Sequence, residues 1–130
     1  MRTLRRLALG LAFSAAALSA SAEWKWIGRS GDFIYYYDPQ AKTRVADIVT
    51  YWQMLDYVDV APDGTASMAI QRQIDCARLE SKQLFKVRFN DEMGKGDRLG
   101  QERAAGDAAE FIPIVPGTLE MKIQPALCAK

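Results

Sequence analysis

The stretch from Val45 to Val58 is the longest strand candidate in the chain, and it constrains the fold more than any other segment. Successive side chains of a strand point to opposite faces. One face of this segment carries Val45, Val49, Tyr51, Gln53, Leu55 and Tyr57, and the other carries Ala46, Ile48, Trp52, Met54 and Val58. Apolar residues on both faces predict a central strand covered on both sides. Asp59 to Gly64 follows and contains Pro62-Asp63-Gly64, whose residues suit a tight turn, so the segment reads as the tip of a hairpin. Ser67 to Cys76 is then the returning strand, with Met68, Ile70, Ile74 and Cys76 on its inward face.

The flanks have the same periodicity. Glu23 to Ile27 alternates aromatic and charged residues, Gly28 to Asp32 is rich in turn formers, and Phe33 to Tyr37 is a strand by composition. Pro39 ends that strand, and Asp38 is placed to cap a short helical turn through Lys42. After a break at Ala77 to Ser81, Leu84 to Asn90 alternates as a strand. Asn90 to Gly96 reads as a loop, Asp97 to Arg103 as a short strand and Ala104 to Ala109 as a loop. Two prolines keep Phe111 to Gly117 extended. Thr118 is an N-cap for a short helix with Leu119, Ile123 and Leu127 on one face, and Pro125 should kink or shorten it. The expected fold is α+β: a single antiparallel β-sheet packed against a C-terminal α-helix, with one disulfide.

The first residues set the expected compartment. Arg2, Arg5 and Arg6 precede an uncharged Ala- and Leu-rich run from Leu7 to Leu18. The run is shorter than the roughly 20 apolar residues of a membrane span and fits the core of a secretory signal. Ala20 and Ala22 supply the small-x-small exit, which places cleavage between Ala22 and Glu23. The expected organisation is a signal peptide over 1–22 and one domain over 23–130, periplasmic or secreted. No cysteine lies near the cleavage point, so no lipid anchor is expected. Three of the seventeen basic residues lie in the leader, which leaves fourteen against sixteen acidic ones, a net charge of −2. A nucleic-acid binder would show a basic excess, so nucleic acid is not the expected partner. Cys76 and Cys128, an even pair in an oxidising compartment, are expected to form a disulfide that ties the end of the helix to the returning strand.

Chemistry is sparse. The chain has no histidine, which removes the commonest general base and most zinc sites. Ser81 and Lys82 are neighbours on a strand and should face opposite ways. Gly94-Lys95-Gly96 lacks the spacing of a phosphate loop and reads as a turn. Asp91-Glu92 reads as a solvated loop, and Asp56, Asp59 and Asp63 do not match a calcium loop. No metal site and no catalytic residue are expected. The aromatic set, including Trp24, Trp26, Tyr35, Tyr36, Tyr37, Tyr51, Trp52 and Tyr57, is expected to be mostly core. A haem held by that set would need tyrosine or methionine as its ligand. Arg72, Arg78, Lys86, Arg88 and Lys95 form a candidate binding surface if neighbouring strands bring them into one basic stripe. Asp75, Glu80, Asp91, Glu92 and Asp97 interrupt it, as they would on an ordinary solvated face.

A set of short motifs runs in order along the domain: Trp24 to Gly28, Tyr36-Tyr37-Asp38, Trp52 to Tyr57, Ser67, Asp75-Cys76, Met93 to Gly96, Ile112 to Thr118 and Cys128. In these the chain resembles the surface-adhesin protein E family of Gram-negative bacteria. The resemblance implies an antiparallel sheet with a packed helix and one disulfide, and a role in binding host or envelope proteins, with haem as a further candidate ligand. The leading expectation is an exported, non-enzymatic domain that binds a protein or small ligand through a strand edge or the loop Asn90 to Gly96. The rival is an inhibitor or envelope-stress protein that acts on a periplasmic hydrolase through a protruding loop at Asp91 to Asp97.

Overall fold

A computed structural model describes residues 23–130. The leader over 1–22 and the Ala22 side of the cleavage point lie outside the described residues. Eight strands form one antiparallel sheet: β1 (Lys25–Ser30), β2 (Phe33–Tyr37), β3 (Thr43–Val45), β4 (Ile48–Tyr57), β5 (Ser67–Asp75), β6 (Glu80–Phe89), β7 (Arg98–Arg103) and β8 (Ile112–Pro113). The order is β1-β2-β4-β5-β6-β7, with β3 paired to the start of β4 and β8 to the start of β6. Among the described residues one α-helix, α1 (Leu119–Cys128), follows β8.

β4 is the central strand that the double-sided apolar pattern predicts, but it begins at Ile48. Val45 belongs to β3, and Ala46-Asp47 makes a two-residue turn between them, with Ala46 at φ 54°. Alternation alone does not register this reversal, because Val45 and Ile48 pair across the hairpin. The predicted helical turn after Asp38 does not form. The carboxylate instead accepts the N–H groups of Gln40 (2.9 Å) and Ala41 (3.3 Å), which holds a bend around Pro39. β1 runs on through Gly28 to Ser30, and β6 starts at Glu80 rather than Leu84, so both turns are shorter than expected.

Directly opposed residues of an antiparallel pair share a face. Val49, Tyr51, Gln53 and Leu55 therefore line up with Ile74, Arg72, Ile70 and Met68 on one face, here the helix face. Trp52 and Met54 share the far face with Gln71 and Ala69. The predicted inward set of β5 lies on the helix face, where Ile74 and Cys76 join the core under α1. That core contains Val49, Tyr51, Ile114, Ile123 and Leu127, and each fully buried aliphatic side chain stabilises it by roughly 1.5–3 kcal/mol. Met54, Ala69, Val87 and Phe89 form a second cluster on the far face.

The helix sits where small residues and caps allow it. A side chain at Gly28 would begin 2.8 Å from Leu119 Cδ2, so glycine is what lets α1 approach β1. Thr118 Oγ1 accepts the Met121 N–H as the N-cap. At the other end Lys42 Nζ donates to the Ala126 carbonyl (3.1 Å) and Arg44 to the Cys128 carbonyl (2.8 Å), placing two cations at the negative end of the helix. The helix passes Pro125 and continues to Cys128. Cys128 is bonded to Cys76, with Cα atoms 5.8 Å apart and a sequence separation of 52. On the chain-entropy account a loop of this length stabilises the folded state by about 4 kcal/mol.

Replacing Cys76 or Cys128 with serine should lower stability by about 2–5 kcal/mol. Thermal melts with and without reductant check this: the native protein should melt well below its oxidised value once reduced, and the serine variants should not respond to reductant.

Candidate binding face

α1 covers only part of the helix face. Beyond its first turn the face is built from β2, β4, β5 and β6, where Phe33, Tyr35 and Tyr57 lie beside Leu55, Ile70, Lys86 and Arg88. The Phe33 ring stands edge-on to Tyr57 (centroids 4.8 Å apart) and to Tyr35 (6.4 Å). At the boundary between the covered and uncovered parts lies a cavity of about 240 Å³ that opens to solvent, lined by Ser30, Tyr35, Gln53, Arg72, Thr118, Leu119 and Glu120.

Its polar wall follows from register. Tyr51 and Arg72 are direct cross-strand partners, and Gln53 lies diagonally from Arg72. Glu120, in the first helical turn, meets the Arg72 guanidinium at 3.3 Å, and both side chains are four-fifths covered, at 16% and 19% exposure. The Tyr51 hydroxyl and Arg72 Nε are buried without a hydrogen-bond partner among the described residues. Burial pushes the Tyr51 hydroxyl far above its usual range. The Arg72 charge opposes that rise and Glu120 adds to it, so the group stays protonated at any physiological pH. It can donate a hydrogen bond but cannot act as a base.

The basic stripe is only partly assembled. Arg72, Lys86 and Arg88 share the helix face, whereas Arg78 sits in the β5–β6 turn and Lys95 in the loop on the far face. Each of the three that share a face has an acidic partner. Arg72 pairs with Glu120, Lys86 with Glu102 (3.8 Å), and Arg88 with Asp63 (2.7 Å) at the β4–β5 hairpin tip. The Thr65 backbone N–H and side chain, with Arg88 adding to them, hold the Asp63 carboxyl below the usual carboxylate range. The row is thus a line of ion pairs rather than a positive field.

The loop Asn90 to Gly96 is tied down. Ser67 Oγ donates to the Asp91 carbonyl (2.6 Å) and accepts the Gly94 N–H (2.9 Å), and Asp56 Oδ1 accepts the Met93 N–H (3.0 Å). Gly94 and Gly96 take positive φ, as a turn requires, and a side chain at Gly94 would strike Met54. The loop covers the far-face cluster, where Trp24, Tyr36, Trp52, Phe85 and Met93 are half-buried. Of the aromatic set, Tyr37 and Tyr51 are core, and Trp26 is 59% exposed with Lys122 Nζ 5.1 Å from its ring centre. Asp56 serves the far-face loop and Asp63 the helix-face ion pair, so these two acids do not converge. Among the described residues no group of three His, Cys, Asp or Glu side chains could hold a metal.

Sequence reasoning missed Tyr51, Gln53 and Glu120 as site residues. Tyr51 and Gln53 follow from β4 parity once β4 and β5 are aligned on Tyr51 opposite Arg72, and Glu120 follows from being two residues after the N-cap.

The sequence profile of the family described as Surface-adhesin protein E matches residues 24–129. No curated protein matches the chain in sequence. Among solved structures, Haemophilus influenzae protein E superposes with a TM-score of 0.55 at 18% identity, over 78% of this chain and 86% of that one. Protein E from non-typeable Haemophilus influenzae superposes with a TM-score of 0.59 at 16% identity, over 87% and 81%. At these identities the structural likeness establishes the fold.

Burial separates the ion pairs in strength. Glu120→Ala leaves Arg72 largely covered and without its anion, and should cost about 2 kcal/mol, below the 3–5 of a fully buried pair. Glu102→Ala breaks a pair exposed at 36% and 58% and should cost less than about 1 kcal/mol. Urea midpoints of the two variants give the comparison, and equal costs contradict the assignment. Ser67→Ala orphans the Gly94 N–H and the Asp91 carbonyl and should cost about 1–3 kcal/mol. Hydrogen exchange at the Gly94 amide should then speed up by more than the global destabilisation explains.

Proposed function

The chain belongs to the surface-adhesin protein E family, and on that footing we propose that it is an exported, non-catalytic domain that binds a host or envelope protein through the uncovered part of its helix face. The leader is removed after Ala22, and the Cys76–Cys128 bond forms in the oxidising compartment beyond. A surface-adhesin-like binding role accords with the family profile over residues 24–129. The observation that carries the choice of face is the row of ion pairs Arg72–Glu120, Lys86–Glu102 and Arg88–Asp63 beside the half-buried rings of Phe33, Tyr35 and Tyr57. Aromatic and arginine side chains are the ones that dominate binding energy at protein interfaces. The paired charges discriminate between partners by position and sign without drawing in every polyanion.

The inhibitor reading finds no support in the geometry. It needs a protruding loop, and the segment from Asp91 to Asp97 is bonded onto the sheet through Ser67 and Asp56.

The test is capture. The purified protein, immobilised, should retain a specific protein from envelope extract or from extracellular matrix. Charge reversal of Lys86 and Arg88 to glutamate should weaken that capture by at least about tenfold, the equivalent of one lost charged contact. Reversal of Arg78 and Lys95, which lie off this face, should leave capture unchanged. Loss through Arg78 and Lys95 instead would move the interface elsewhere, and no capture at all under either condition would end the reading.

A further inference from the structure

The cavity at the start of α1 has features that a surface for protein contacts does not require. Gln53 is 6% exposed and lines the cavity, and beside it Arg72 Nε is buried without a hydrogen-bond partner among the described residues. A covered donor left unpaired is unfavourable unless a bound group satisfies it. Arg72 spends one nitrogen on Glu120 and offers further donors, while Glu120 binds through Oε1 alone and keeps Oε2 for a donor. The site therefore presents one cation, one anion and one neutral amide in a partly desolvated space. Arg72 and Glu120 already neutralise each other, so a ligand with a net charge would bring an uncompensated charge into that space. The volume of about 240 Å³ is below the roughly 300–1,000 Å³ of sites for drug-sized ligands, so the occupant is small. Tyr35 and Leu119 supply a wall for an apolar group.

We infer that this cavity binds a free α-amino acid in its zwitterionic form, with the ligand carboxylate on the open donors of Arg72, its ammonium on Glu120 and the Gln53 amide, and its side chain between Tyr35 and Leu119. The site adjoins the protein-binding face proposed above and shares Arg72, Glu120 and Tyr35 with it, but it needs neither Lys86 nor Arg88.

Two-dimensional NMR of the purified, disulfide-bonded protein tests this with L-leucine and three blocked forms: N-acetyl-leucine, leucine amide and N-acetyl-leucine amide. L-leucine should give saturable shifts of the Gln53 side-chain amide and of the backbone from Thr118 to Glu120. Each blocked form should bind at least about tenfold more weakly, since each loses a charged hydrogen bond. Gln53→Leu should abolish the shifts. Should that buried variant fail to fold, Ser30→Phe, at an exposed edge position on the cavity rim, should plug the site and abolish them too. No saturable shift at millimolar L-leucine, equal response to the fully blocked form, or undiminished binding to Ser30→Phe each overturns the inference.

Discussion

The alignment of β4 with β5 governs the rest of the molecule. Nine consecutive pairs, from Ile48 opposite Asp75 to Asp56 opposite Ser67, put the paired side chains of these two inner strands on defined faces. A slip of β5 by one residue would turn Ile70 and Ile74 away from the helix and bring Gln71 and Gln73 beneath it. The same register decides chemistry. It sets Tyr51 against Arg72 inside the protein and delivers Gln53 to the cavity. It also puts Asp56 beside Ser67 on the far face, where both hold the loop that covers Met54.

The helix is attached to this frame at two ends by different means. Its carboxyl end is covalently bonded through Cys128 and electrostatically held by Lys42 and Arg44. Its amino end rests on Leu119 against Gly28 and on the Glu120–Arg72 pair. A disulfide acts whatever the solvent polarity, whereas an ion pair depends on its surroundings. The amino end is therefore the part of the attachment that a bound charge could alter, and the cavity lies beside it. Lys122 adds to this end by donating to the Ile27 carbonyl of β1 at 2.7 Å.

How much of this could be read from the chain depended on how local the cause was. Period-two alternation and the prolines found β2, the extended run before α1 and the central strand, because those signals reside in neighbouring residues. The Thr118 cap and the Leu119, Ile123 and Leu127 stripe located the helix for the same reason. The Ala46-Asp47 reversal escaped because neither residue is glycine or proline and the strand pattern runs straight through it. The bend at Asp38 was misread as helical because an aspartate that accepts N–H groups two and three residues on looks alike in both settings. The basic stripe was half right. Arg72, Lys86 and Arg88 share a face by strand parity, but Arg78 and Lys95 fall in turns, where parity carries no information. The cavity was invisible because it joins residues from β1, β2, β4, β5 and the helix.

That mixture of near and far also bears on how such a face can be specific. The charges along it come from distant parts of the chain: Asp63 from a hairpin tip, Glu102 from the edge strand, Glu120 from the helix. Each meets a base on an inner strand, so the pattern of sign is set by the fold as a whole and survives only while all three elements are docked. The exposed pairs contribute little to stability. In the proposed binding role they would provide an arrangement in which a partner with the wrong sign at any one position meets repulsion instead of a vacant surface. A chain with a small net charge in its folded part can therefore still present an ordered electrostatic pattern, and selectivity then comes from geometry rather than from bulk charge.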